Sequence, residues 1–145
     1  MNAHASESDE TVRLDLPAAY RYLNVISACL AAVLEHTEGL SDQDTITYNV
    51  QLAVQEACTN IVDHAYEGQP GGRIKLNVSV DKTPHRLIVD LYDTGAAFDP
   101  SQVPAPNLND AQVEGYGLFL MRTLMDELTY EHEVDLNHWR LVKNL

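Results

Sequence analysis

The stretch "LIVDLYDTGAAFDP" (residues 87–100) decides the fold. Its apolar half reads as a strand, and side chains along a strand alternate between faces. Leu87, Val89, Leu91 and Asp93 therefore share one face, and Ile88, Asp90 and Tyr92 share the other. If Leu87, Val89 and Leu91 face a core, Asp93 prolongs that core face. A carboxylate there needs a hydrogen-bond donor. Gly95, which has no Cβ, would let a flat ligand approach the backbone beside it.

Working outward, "RIKLNVSV" (73–80) alternates Ile74, Leu76, Val78 and Val80 with polar residues, and "DKTPH" is the turn into "RLIVDLY". "TVRLDLP" (11–17) alternates at Val12, Leu14 and Leu16, which predicts a first strand. Pro17 opens a helix to about His36 with a stripe of Leu23, Ile26, Leu30, Val33 and Leu34, and Gly39 ends it. Ser41 is the expected N-cap of a long helix to about Tyr66, which "EGQPGG" stops. After Asp99, "PSQVPAPNLNDAQVE" (100–114) has three prolines and neither helix nor strand period. Loops of about 15 residues in compact domains are usually functional lids or disordered. "GYGLFLMRTLMDEL" (115–128) starts a third helix, and "LTYEHEV" and "HWRLVKNL" form a closing hairpin around "DLN". This order predicts an α+β two-layer sandwich, with helices on one face of a mixed, mostly antiparallel sheet.

The 145 residues suit a single domain, expected over residues 11–145 behind a disordered tail at 1–10. The acidic N-terminus "MNAHASESDE" lacks a signal-peptide pattern, so a cytoplasmic protein is expected. No apolar run approaches the roughly 20 residues that span a membrane. With 22 acids against 9 bases the net charge is −13, which repels phosphate backbones and argues against direct nucleic-acid binding. Such a surface attracts a basic protein partner, and it also serves solubility. Cys29 and Cys58 form neither a disulfide framework nor a metal set and read as reduced core thiols.

Asp-Thr-Gly at a strand end serves two unrelated chemistries. In retroviral-type aspartic proteases it supplies one carboxylate of a dyad completed by a dimer. In one class of ATP-binding folds it holds the adenine base. Asp and Gly also make ordinary turns. A protease domain is almost all-β, whereas two long helices precede this motif and a third follows it. The exocyclic amine of adenine is a donor of the kind Asp93 needs.

A second clue is "QEACTNIVDHAY" (55–66). The apolar stripe of this helix includes Ile46, Val50, Ala53, Val54, Ala57 and Ile61, yet Asn60 and His64 fall inside or beside it and Glu56 at its edge. Spaced i, i+4, i+8, the three line one side. Either they satisfy one another as buried polar groups do, or they form a site. The Asn60 amide oxygen suits Mg²⁺ that already carries phosphate oxygens and waters. The Glu56 carboxylate could accept or orient the proton of an attacking hydroxyl or water. His64 is expected to pack. A third clue is "EGYGLFL" (114–120), where Gly115, Tyr116, Gly117 and Leu118 open a helix. Free N–H groups at a helix start make an anion site.

Together, "EACTNIVDHAY", "DTGAAFDP" and "GYGLFLMRTLMDEL" resemble the GHKL ATP-binding superfamily, and within it the anti-sigma-factor serine kinases. The resemblance spans residues 11–145 in order. It implies a Bergerat-type fold that binds ATP and Mg²⁺ between helices and sheet under a lid. It also implies a protein that binds a sigma factor and phosphorylates a serine on a small STAS-type anti-anti-sigma antagonist. Carried over by position, Glu56 is the catalytic base or orienter and Asn60 the magnesium ligand. Asp93 is the adenine anchor with Gly95 beside it, and Gly115, Tyr116, Gly117 and Leu118 close the phosphate site. Homodimerisation is usual in that family. Histidine kinases of the same fold carry an upstream helix pair with a phosphoacceptor His, for which the expected domain leaves no room. One departure stands out: residues 99–114 contain no Lys or Arg, and Arg122 is the nearest base. Phosphoryl transfer then relies on Mg²⁺, backbone N–H groups or an Arg from a partner. The alternative is a nucleotide-gated binding module without phosphoryl transfer.

Overall fold

The computed structural model describes residues 10–99 and 116–145. Strand β1 (Val12–Pro17) leads through a 3₁₀ turn (Tyr20–Tyr22) into α1 (Leu23–Glu35). Helix α2 (Gln43–Asn60) continues as a π-helical turn, Ile61–Ala65. Then come β2 (Arg73–Lys82), β3 (His85–Asp93), α3 (Tyr116–Leu124), β4 (Glu127–Glu133) and β5 (Leu136–Asn144). The sheet order is β1-β2-β3-β5-β4. All four pairings are antiparallel, so the expected mixed component is absent among the described residues.

The period-two pattern places Ile74, Leu76 and Val78 of β2, Leu87, Val89 and Leu91 of β3, and Trp139 and Leu141 of β5 in one buried core. The stripes of the helices pack with them: Ile26, Leu30 and Leu34 of α1, Val50, Ala53, Val54 and Ala57 of α2, and Leu118 and Met121 of α3. Each large apolar side chain so buried contributes about 1.5–3 kcal/mol. The other face of the sheet is polar at its centre. There Asp90 accepts from Arg140 Nε at 2.8 Å and lies 2.6 Å from His138 Nε2.

Several boundaries differ from the sequence reading. Helix α1 begins at Leu23 rather than Pro17, because the Ala18 N–H is tied to the Gly72 carbonyl at 2.9 Å and holds the chain against the sheet. Asp42, not Ser41, is the N-cap residue of α2, and it makes no side-chain capping bond. The final turn uses only residues 134 and 135, with Asp135 at φ 61°. Leu136 and Asn137 of "DLN" therefore belong to β5, and Asn137 pairs opposite Asp93. Residues 1–9, the lid at 100–114 and Gly115 lie outside the described residues. No helix among the described residues is long and apolar enough to cross a membrane.

Candidate functional site: a buried carboxylate between helix and sheet

Asp93 ends β3 on the core face and is 3% exposed. Its Oδ1 accepts the Gly95 N–H at 2.9 Å and Asn137 Nδ2 at 2.7 Å. Its Oδ2 is buried and has no partner among the described residues. Burial pushes the carboxyl above its usual range, while Asn137, the Gly95 N–H and His132 pull it back down. Beside it lies a small cleft lined by Asn60, Ile61, Ala65, Phe98, Tyr130 and Trp139 among others. Its wall is aromatic: Phe98 lies 5.3 Å from Trp139 and edge-on to Tyr130 at 6.1 Å, between ring centres. A flat, largely apolar group with one N–H donor fits these surroundings, as adenine does.

The loop after Asp93 is fastened to the end of α2. Ala65 is the last residue of the π-helical turn, and its carbonyl, left without a partner at the helix end, accepts the Ala96 N–H at 2.7 Å. A Cβ on Gly95 would lie 2.3 Å from that carbonyl oxygen. Gly95 is thus required for a backbone-to-backbone approach within the protein, and Ala65 occupies the space the sequence reading reserved for a ligand. The Tyr66 hydroxyl accepts the Thr94 N–H at 3.0 Å and donates to the Arg73 carbonyl at 2.8 Å.

Asn60 lines the same cleft as Asp93, as the sequence reading requires. Glu56, one turn back, faces the start of α3: a Cβ on Gly117 would stand 2.8 Å from Glu56 Oε2. Burial raises the Glu56 carboxyl above its usual range. One expectation needs correction. His64 is exposed, because the π turn rotates it off the line of Glu56 and Asn60; its ring centre is 6.4 Å from that of Phe98. Leu118 is a core residue, 5% exposed, so only its backbone is left for a phosphate. Tyr116 packs on Phe119 with ring centres 5.7 Å apart. No three His, Cys, Asp or Glu side chains among the described residues group as a metal site.

Asn137 was not found by sequence reasoning. It is 1% exposed and spends its amide on Asp93, on the carbonyls of Gly95 (3.0 Å) and Ala96 (3.2 Å), and on Tyr130 and His132. Only the strand register brings it to Asp93.

Residues 16–143 match the histidine kinase-like ATPase domain. The chain belongs to that family. It is similar to the serine/threonine-protein kinase BtrW of Bordetella bronchiseptica, at 34% identity over 103 residues, 68% of this chain and 71% of that protein. It is also similar to the serine-protein kinase RsbW of Bacillus subtilis, at 30% identity over 129 residues, 83% and 78% of the two chains. Among solved structures, the RsbU and RsbW domains of Rv1364c from Mycobacterium tuberculosis superpose with TM-score 0.68 at 16% identity, over 93% of this chain and 32% of that one. A chain of the SiaB-SiaC complex from Pseudomonas aeruginosa superposes with TM-score 0.61 at 12% identity, over 100% and 99%. These two likenesses show the fold. Family and relatives together make this chain an ATP-binding protein kinase of the serine/threonine class.

Proposed function

We propose that the protein is an anti-sigma factor and ATP-dependent serine kinase. It binds a sigma factor and phosphorylates a small STAS-type antagonist, which then no longer competes for it. The observation that carries the nucleotide half is the bare, buried Oδ2 of Asp93 beside a small, aromatic-walled cleft. The partner half is supported by the kinship with RsbW and BtrW. Asp93 accepts the exocyclic amine of adenine. Asn60 would hold a Mg²⁺ that comes with the phosphates, and the ion would spread their charge. The backbone at Gly117 meets the phosphates at the positive end of α3, and Gly115, expected to share that role, lies outside the described residues. Glu56, raised by burial and lying against Gly117, orients the serine hydroxyl and receives its proton.

The test is Glu56→Gln assayed with ATP, Mg²⁺ and a STAS-type antagonist. Phosphorylation should fall about 10²–10⁴-fold, the usual contribution of a positioned acid–base group, with ATP binding retained by calorimetry. Full turnover would remove the role given to Glu56. The absence of Lys and Arg from residues 99–114 favours one second reading, a nucleotide-gated binding module. In that case ATP would alter sigma binding in the unaltered protein with no phosphorylated antagonist formed.

A further inference from the structure

We propose that Asn137 is a positioning residue that makes the Asp93 anchor selective for a 6-amino purine over a 6-oxo purine. The inference rests on the reading of Asp93 as the base anchor.

The Asn137 amide has one allowed orientation. Its Oδ1 receives the Tyr130 hydroxyl at 2.9 Å and lies 2.6 Å from His132 Nδ1. Its Nδ2 stands among three acceptors: Asp93 Oδ1 and the carbonyls of Gly95 and Ala96. A flipped amide would set oxygen against all three acceptors. The Tyr130 proton is committed as well, because the Phe98 N–H donates to the same hydroxyl at 2.7 Å and leaves its hydrogen for Asn137. A chain of donors thus runs from Phe98 through Tyr130 and Asn137 to Asp93, every proton pointing toward the carboxylate.

That chain ends at Oδ1. It stabilises the negative charge inside the protein and leaves Oδ2 as a pure acceptor. A pure acceptor pairs with the exocyclic amine of adenine and repels the carbonyl at the same place in hypoxanthine or guanine. Without Asn137 the buried carboxyl keeps one donor, the Gly95 N–H, and takes up a proton more readily. A protonated Oδ2 donates, and a donor accepts a 6-oxo base. Asn137 never needs to touch the nucleotide for this to hold.

Calorimetric titration of the full chain with ATP and with inosine triphosphate, each with Mg²⁺, tests the inference. The unaltered protein should prefer ATP. Asn137→Leu, which keeps the branch at Cγ and removes the amide, should lower the ratio of the two affinities about tenfold or more, in line with loss of a hydrogen bond to a charged group. Tyr130→Phe removes only the hydroxyl that orients the amide and should lower the ratio in the same direction by less. It also serves if Asn137→Leu fails to fold. General loosening would weaken both nucleotides alike and leave the ratio unchanged, and an unchanged ratio overturns the inference. If the unaltered protein binds no ATP, the base-anchor reading falls and the inference falls with it. ATP binding with an unchanged ratio in the variants overturns the inference alone.

Discussion

Gly117→Ala separates what the α2–α3 contact does for folding from what it does for chemistry. Gly117 is the second residue of α3, and its φ lies outside the left-handed region. An added Cβ would stand 2.8 Å from Glu56 Oε2 and 3.7 Å from Glu56 Cβ and Cδ. The single short contact is with the far end of a flexible side chain, so the carboxylate swings away while the helices stay in place. An off-rotamer side chain costs about 0.5–1.5 kcal/mol. Replacing Gly by Ala in a compatible helical position returns about 0.4–1 kcal/mol. The net change in stability is within about 1 kcal/mol of zero, a Tm shift of at most about 4 °C for a domain of this size. The displaced carboxylate no longer meets the serine hydroxyl, so phosphorylation at saturating ATP should fall about a hundredfold or more. The two assays are thermal unfolding and transfer of labelled phosphate to the antagonist. Unchanged transfer with unchanged Tm refutes the placement of the chemistry at Glu56. A Tm fall of more than about 8 °C refutes the claim that the conflict is with a movable side chain.

Gly95→Ala meets an obstacle that cannot rotate, the Ala65 carbonyl oxygen at 2.3 Å and its carbon at 2.5 Å. It should lose about 2–4 kcal/mol through overpacking and the broken Ala96–Ala65 bond, and an unaltered urea midpoint would disprove that packing. Asp93→Asn should weaken ATP binding about ten- to a hundredfold yet raise stability at neutral pH. The sign follows from burial: the folded carboxyl is raised above its usual 3.8, so the stability Asp93 contributes is full below that value and is lost as pH rises through the folded-state value. The advantage of Asn should therefore grow in unfolding curves from about pH 4 upward and then level off; an advantage that shrinks with rising pH contradicts the raised value. Cys58 is 1% exposed with its thiol pushed up to about 12, whereas Cys29 is partly exposed. A thiol reagent near pH 8 should therefore label about one thiol in the native protein and both in denaturant, and two native labels would contradict the buried placement.

The elements legible in the sequence were those whose residues repeat. Leu87, Val89 and Leu91 alternate, and Asp93 is next in that alternation, so its burial followed from the pleat of one strand. Glu56 and Asn60 were placed by helical spacing in the same way. Readings failed where a feature depends on the match between two segments. Asn137 was assigned to the turn "DLN", and its meeting with Asp93 depends on a two-residue turn that sets the β4–β5 register and on the β3–β5 pairing. His64 was placed by a wheel of 3.6 residues per turn, which the π turn at Ile61–Ala65 no longer obeys. Gly95 was recognised as a site of close approach, but a single strand cannot show that the approaching group is Ala65.

The end of the helix at Ala65 also explains why the two ends of the site differ. An α-helical continuation would spend the Ala65 carbonyl on the N–H of residue 69, whereas Gln69 donates to the Tyr66 carbonyl at 2.8 Å. The freed Ala65 carbonyl holds Ala96, Tyr66 holds Thr94, and Asn137 holds the carbonyls of Gly95 and Ala96. Three anchors, two at the end of the α2 helix and one on β5, thus fix the loop that carries Gly95. The base end is preorganised, and little ordering remains to oppose binding there. Glu56, by contrast, meets α3 through one flexible side chain. On the proposed reading, substitutions at the base end should therefore act on nucleotide affinity and selectivity. Substitutions at the phosphate end should act on the rate of transfer, where a small displacement of Glu56 is enough to separate binding from catalysis.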